Sequence, residues 1–463
     1  MDWKIRPIKK LVGELTVPSD KSISHRAIMF ASIAKGRTRI SNFLRGEDCM
    51  RTLEAFRSLG VEIETKKDDI VVYGKGLRGL CQSENDIYLG NSGTSMRIIP
   101  GILAGQSFDT VLTGDESLIK RPMRRVIDPL VQMGVRIEPL EGGDHAPLKI
   151  YGQNKPLLSI DYETSVASAQ IKSCVLAAGL YAEGVSSLTE PFLSRDHTER
   201  MLECLSAKVE KDGLTTRITG GKELEANDID IPGDISSAAF FIVAGLLLKD
   251  SNIVLRDVGL NSTRTGVIDV LRRMGGHIKI LDTRGTAEPV GDLEIKYSEL
   301  KGTTVTNREI PLLIDEIPVL AVAAAAAEGE THIMGISELK VKETDRVKSI
   351  TKNLTAFGAS LQEKDDALVI FGGVKKFKAQ KVESFGDHRT AMSAAITALI
   401  ADGECVIEKV DCVDTSYPGF LKDLQSLTIG NDPVLKTIDK GYYICYYSKG
   451  SKEPYRTGVC EVN

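Results

Sequence analysis

A single tryptophan and an aromatic content of 5% give this 463-residue chain little with which to stack nucleobases. Long apolar runs are missing too. The longest, 238–248 and 317–327, fall short of the roughly 18–20 residues of a bilayer helix. The eight cysteines (49, 81, 174, 204, 405, 412, 445, 460) contain no C-x-x-C pair, which argues against a zinc framework or a disulfide scaffold and for reduced thiols. The six histidines are dispersed, and H-E-x-x-H, Walker A and G-x-S-x-G sequences do not occur. No metal and no cofactor is therefore expected. The opening MDWKIRP leads into no apolar stretch before a small-residue cleavage site, so the expected compartment is the cytoplasm. With 59 Lys plus Arg against 64 Asp plus Glu, a net charge of −5 disfavours non-specific binding to nucleic acid or acidic membrane.

What is present is an internal repeat. The length is about three times a common domain, and 42% hydrophobic with 27% charged residues describes a folded chain. Six segments share one order: a small polar cluster, a helix of small apolar residues, a Gly, Asp or Glu turn, then a short β-branched strand. They begin at Pro18, Gly90, Val166, Gly233, Asp315 and Gly386. Second helices are expected at 49–59, 121–133, 197–205, 264–274 and 347–357, ending at Gly or Ala-Lys turns. Six α/β repeats fit two domains of three, with the polar strand at 228–232 as a crossover. After about residue 427 the repeat stops, and GYYICYYSKG at 441–450 reads as a hairpin strand.

GKGLRG at 74–79 matches a dinucleotide fingerprint, but no apolar helix follows, so a turn-rich hairpin is expected there. The stronger pattern is basic and small polar residues at helix starts, where unpaired N–H groups and the dipole favour an anion. Lys21, Ser22 and Arg26 begin one helix, with Ser22 and Arg26 on one face. Asn91, Ser92, Gly93 and Thr94 begin a second, Ser168 and Gln170 a third, and Asp387 and Arg389 a fourth. Lys120-Arg121-Pro122 is expected to open a helix with proline in its first turn. Lys342 and Arg346 stand at i, i+4, with Glu343 between them. Asp315 reads either as a helix cap or as an acid–base group. Lys21, Arg26, Arg121, Lys342, Arg346 and Arg389 together could neutralise roughly six negative charges, about those of two phosphates and two carboxylates. This suggests a transferase for two small anions, with Asp315 and Glu343 as acid–base candidates.

The segments VPSDKSISHRA, LGNSGTSMR, GDESLIKRPM, SAQIKS, SRDHTERML, IDEIPVLAVAAA, KVKETDR and GDHRTAMS follow one another in an order that resembles the 5-enolpyruvylshikimate-3-phosphate (EPSP) synthase family across residues 4–427. The resemblance implies an α/β fold of two similar domains, each of three repeated α/β units (the enolpyruvyl transferase fold), with the active site in the interdomain cleft. The domains would be 21–231, and 1–20 with 232–427; residues 428–463 would be a C-terminal extension of unknown role. It implies that Lys21, Ser22, Arg26, Ser168, Gln170, Asp315 and Lys342 hold shikimate 3-phosphate, with Arg195 as a further phosphate contact. Gly93, Arg121, Gln170, Arg346, Arg389 and Lys21 would hold phosphoenolpyruvate.

The implied reaction adds the 5-hydroxyl to C2 of phosphoenolpyruvate, protonates C3 and expels phosphate, on the route to chorismate and the aromatic amino acids. Asp315 would deprotonate the hydroxyl, with Glu343 and Lys21 handling protons at the enolpyruvyl carbon. No cofactor is implied; a monomer acting on small molecules, without nucleic acid or membrane, is expected. The UDP-N-acetylglucosamine enolpyruvyl transferases, the nearest alternative, place a cysteine on the loop that here reads GDESLIK. A non-catalytic anion-binding relative, the other alternative, would be expected to lose Asp315, Glu343 or several cations. Two departures stand out. Thr415-Ser416-Tyr417-Pro418 occupies a stretch where some members carry a phosphoenolpyruvate-binding lysine, leaving Lys422 as a substitute, and Ile98 replaces a proline frequent in members sensitive to glyphosate. Gly93 is the small residue associated with that sensitivity, which is expected here.

Overall fold

The computed structural model describes residues 1–67, 69–285, 287–428, 435–439, 442–445 and 459–461. The chain divides into two units: Ser19–Pro232 with Thr286–Glu288, and Met1–Pro18, Gly233–Gly285 and Pro289–Asn463. Each has its own hydrophobic cluster. No described helix is long and apolar enough to cross a membrane.

In the 19–232 unit six helices alternate between two kinds: α1 (Lys21–Ser32), α2 (Glu47–Ser58), α3 (Gly93–Leu103), α4 (Arg124–Gln132), α5 (Ala169–Gly179) and α6 (His197–Cys204). The odd-numbered helices are the small-residue segments of the repeat. Small and apolar side chains dominate them, and polar residues such as His25, Arg26, Lys172 and Ser173 are bonded within, so they lie buried along most of their length. Each begins at a capping side chain: Asp20 accepts from the Ile23 amide, Ser92 from Ser95 and Ser168 from Ile171.

Three sheets share one connectivity, a parallel pair followed by two antiparallel pairs. In the first, Leu224–Glu225 and Ile229–Asp230 run parallel to Ala34–Ser41, which pairs antiparallel with Asp69–Lys75, and that with Glu62–Thr65. The same order holds for Ile87–Tyr88, Thr110–Thr113, Leu148–Ile150 and Ile137–Pro139, and for Asp161–Glu163, Val185–Thr189, Thr215–Thr219 and Val209–Asp212.

The other unit carries α7 (Ile235–Leu247), α8 (Gly266–Arg273), α9 (Ile310–Leu313), α10 (Ile317–Ala326), α11 (Arg346–Ala356), α12 (His388–Ala398) and α13 (Phe420–Ser426). Helices α7, α10 and α12 are the buried small-residue helices here. Two sheets repeat the connectivity already described: Val12–Thr16, Asn252–Gly259, Val290–Lys296 and His277–Ile280, then Thr304–Val305, Glu330–Met334, Ala367–Phe371 and Ser360–Lys364.

The sixth sheet draws on both ends of the chain. Lys381–Glu383 runs parallel to Cys405–Glu408, which pairs antiparallel with Asp2–Ile5, and that with Leu435–Asp439. Tyr442–Cys445 and Val459–Glu461 extend it. Leu435–Asp439 therefore supplies, after α13, the fourth strand, in the place taken by the strand that follows the second helix in the other repeats. The sole tryptophan, Trp3, anchors this arrangement by stacking on Phe420 at 5.7 Å between ring centroids.

Two local expectations are corrected. Lys120-Arg121-Pro122 does not open a helix: Leu118–Lys120 is a 3-10 turn, Arg121 is extended, and α4 starts at Arg124. The cause is Pro122, which pushes its predecessor out of the helical region. Residues 74–79 do not form a hairpin. After Asp69–Lys75 the chain turns and reaches Ile87–Tyr88, which joins a different sheet in parallel. Asp345 caps α11, and Lys342 precedes that helix in extended conformation.

Truncation after Thr428 would leave Asp2–Ile5 as an unpaired sheet edge. Scanning calorimetry of that variant is expected to show Tm lowered by roughly 2–6 °C, for a loss of about 1–1.5 kcal/mol. An unchanged transition would mean that the added strands contribute nothing.

Candidate active site

In the 19–232 unit the polar residues gather at the N-terminal ends of α1, α3 and α5. Lys21, the first residue of α1, places Nζ 3.1 Å from Asp48 Oδ2 on α2. Arg26, one turn on and buried, donates through Nη1 to the Ser22 carbonyl at 2.9 Å, through Nε to Thr198 Oγ1 at 2.7 Å and through Nη2 to Ser173 Oγ at 2.8 Å. Ser22 thus contributes its carbonyl to orienting that guanidinium. Arg195 is half-buried just ahead of α6.

Around α3 a second group converges. Arg121 donates through Nη2 to Asn91 Oδ1, and Asn91 Nδ2 donates to Asp115 Oδ2 at 2.8 Å. Arg97 donates through Nη1 to Gln170 Oε1 at 2.9 Å, and Gln170 Nε2 donates to Thr94 Oγ1 at 3.3 Å. A Cβ on Gly93 would lie 2.9 Å from Arg121 Nη1 and 3.0 Å from Arg97 Nη1, so glycine is what lets both guanidiniums approach this helix end. Ser168 uses its hydroxyl as the cap of α5.

Beneath these residues His25 Nδ1 lies 2.7 Å from Thr52 Oγ1, which lies 2.6 Å from Ser95 Oγ, tying α1, α2 and α3 together. Complete burial, then the charges of Lys21 and Arg26, hold the His25 pKa well below 6.5, so the ring is neutral.

In the 233–463 unit the centre is Arg346, whose side chain is 1% exposed. It donates through Nε to Asp387 Oδ2 at 2.8 Å, through Nη1 to Asp315 Oδ1 at 3.0 Å and through Nη2 to Glu343 Oε2 at 2.7 Å. Burial alone would lower the pKa of this guanidinium, but Asp387, Glu343 and Asp315 more than offset it and raise the pKa. Asp315 sits between α9 and α10 and is not the cap residue of either. Its carboxylate faces three cations: Arg346, Lys342 Nζ at 3.8 Å and Arg389 Nη2 at 3.9 Å. Arg389 also donates through Nη1 to the Asp315 carbonyl at 3.1 Å. Asp387 holds Arg346 while capping α12 through the Arg389 and Thr390 amides.

At the two departures, the Thr415 hydroxyl bonds to the Cys412 carbonyl at 2.7 Å and Lys422 lies exposed on α13. Sequence reading missed Asp48, Arg97 and Glu316. Asp48 and Lys21 stand 27 positions apart with no local pattern linking them. Arg97 lies inside a recognised motif, and Asp387 is legible as a cap. Glu316 accepts from Ser236 Oγ and lies 3.8 Å from Arg389 Nη1. Among the described residues no group of three or more His, Cys, Asp or Glu stands where it could hold a metal ion.

A sequence model described as EPSP synthase (3-phosphoshikimate 1-carboxyvinyltransferase) matches residues 5–424. A 3-phosphoshikimate 1-carboxyvinyltransferase of Geobacter metallireducens is 49% identical over 426 residues, 92% of this chain and 99% of the relative. One from Bacillus cereus is 49% identical over 91% of this chain and 98% of its own. A crystal structure of EPSP synthase from Acinetobacter baumannii aligns with a TM-score of 0.83 at 42% identity, covering 92% of this chain and 98% of that one. The enolpyruvyl transferase NikO from Streptomyces tendae shares the fold at a TM-score of 0.73 and 18% identity, over 92% of this chain and 97% of that one.

Gly93→Ala is expected to push Arg121 and Arg97 aside and raise KM for phosphoenolpyruvate about ten- to a hundredfold (~1.4–2.7 kcal/mol), read from initial rates. His25 gives a second expectation. Its folded pKa lies below the unfolded value of about 6.5, so stability is complete above that pH and is lost as pH falls below it. Urea unfolding should show about 1 kcal/mol lost through this group between pH 6.5 and 5.5, and His25→Gln should lack that component.

Proposed function

The chain belongs to the EPSP synthase family, and from that premise we propose that it transfers the enolpyruvyl group of phosphoenolpyruvate to the 5-hydroxyl of shikimate 3-phosphate, as a cytoplasmic monomer. Arg26, Ser22, Ser168, Gln170, Arg195 and Lys342 bind shikimate 3-phosphate, while Arg121, Arg346 and Arg389 bind phosphoenolpyruvate beside Gly93; Lys21 reaches both. Two polyanions repel each other, and fixed guanidiniums and helix N-termini offset that repulsion while orienting the reacting atoms.

The observation that carries the chemistry is the position of Asp315. Its carboxylate lies beside Lys342, Arg346 and Arg389, so anions held by those cations bring a substrate hydroxyl to it. Asp315 takes the hydroxyl proton as the oxygen bonds to C2 of phosphoenolpyruvate and C3 gains a proton. Glu343, 2.7 Å from Arg346, and Lys21 carry protons to and from C3. Loss of a proton from C3 then re-forms the double bond as the C2–O bond to phosphate breaks, leaving an enol ether and inorganic phosphate. Glyphosate is expected to compete with phosphoenolpyruvate beside Gly93.

Phosphate release should require both substrates and yield a product with the mass of the enol ether. Asp315→Asn, of nearly equal shape, should lower kcat by about 10²–10⁴ while substrate binding persists. Wild-type turnover by that variant would remove Asp315 from the mechanism.

A further inference from the structure

Lys172, on α5, is 1% exposed and takes no part in the transfer as described. Its ammonium lies 2.8 Å from Glu190 Oε2 and 2.8 Å from Glu199 Oε1, both acids being buried to the same degree, and 3.5 Å from the Ser194 carbonyl. Three N–H donors thus meet three oxygens, all from residues 190–199. Burial pushes the lysine pKa down, but Glu199 and Glu190 together push it further up, so the ammonium stays charged. An apolar side chain would fill this volume without desolvating an ion, so a buried triad in its place is understandable where fixed directions matter.

Both elements, α5 and residues 190–199, adjoin the proposed phosphate-binding residues. Ser173, next to Lys172, accepts from Arg26 Nη2 and lies 2.6 Å from Thr198 Oγ1. Thr198, next to Glu199, accepts from Arg26 Nε. Ser194 directly precedes Arg195.

We propose that Lys172, with Glu190 and Glu199, is a positioning residue for the phosphate of shikimate 3-phosphate: it locks residues 190–199 onto α5 and so fixes the directions of Arg26, Thr198 and Arg195. The inference rests on the substrate assignment made above. The triad is conformational machinery, and none of its members touches the ligand.

The test is the variant Lys172→Met, Glu190→Gln, Glu199→Gln, which removes the charges at nearly constant volume, with folding checked by circular dichroism and thermal melting. KM for shikimate 3-phosphate is expected to rise about tenfold (~1.4 kcal/mol), while kcat and KM for phosphoenolpyruvate stay within about twofold. Lys172→Arg, which keeps the charge but not the reach, is expected to lose about threefold on the same ratio, and decides the matter if the triple variant does not fold. An equal rise in both KM values, or an unchanged KM for shikimate 3-phosphate in a folded variant, overturns the proposal. Calorimetric titration of each substrate separates the two claims. A wild-type protein that binds neither would sink the substrate assignment, whereas variants binding shikimate 3-phosphate as tightly as wild type sink only the role of Lys172.

Discussion

Helices buried along nearly their whole length can carry a charged side chain only where a partner or a ligand meets it, most readily in their first turn. In α12 buried positions run from end to end, in α7 from Ile235 to Leu246 and in α1 from Ile23 to Ser32. Chemistry placed on such helices concentrates where unpaired N–H groups and the positive end of the dipole already favour anions. Lys21, Gly93, Gln170, Arg346 and Arg389 all lie within the first two positions of a helix. The requirement that buries the core is therefore also the one that locates the candidate site.

Burying cations beside such helix ends demands partners, and the two units meet the demand differently. Arg346 is held by three carboxylates, two of which also serve as acid–base candidates. Arg26 donates to two hydroxyls and a carbonyl, which fix the direction of its guanidinium. The first arrangement suits proton transfer among closely spaced charges, and the second suits recognition of a phosphate. Lys172 follows the carboxylate pattern deep in the 19–232 unit, where its charge is balanced away from the ligand.

The repeated sheet gives the chain ends a structural task. In five sheets the last two strands form a hairpin after the second helix, but in the sixth Asp2–Ile5 takes the third place and Leu435–Asp439 the fourth. The first strand and the residues beyond the family match thus close one sheet that the central part of the chain leaves incomplete.

Much of this was legible in the chain itself. Period and composition locate the six small-residue helices, because burial along a whole helix demands that composition wherever it occurs. Caps such as Asp20, Ser92 and Asp387 follow from bonds made within three residues. Even the extended Arg121 was readable from Pro122, a local steric rule that the helical expectation overlooked. The meetings of Lys21 with Asp48, Arg97 with Gln170, and Lys172 with Glu190 and Glu199 were not, nor was the pairing of residue 2 with residue 438. Periodicity and capping act over a few residues and are written in neighbouring letters. Side-chain and strand partners dozens or hundreds of positions apart are chosen by how the helices and sheets pack, so only the tertiary structure decides them.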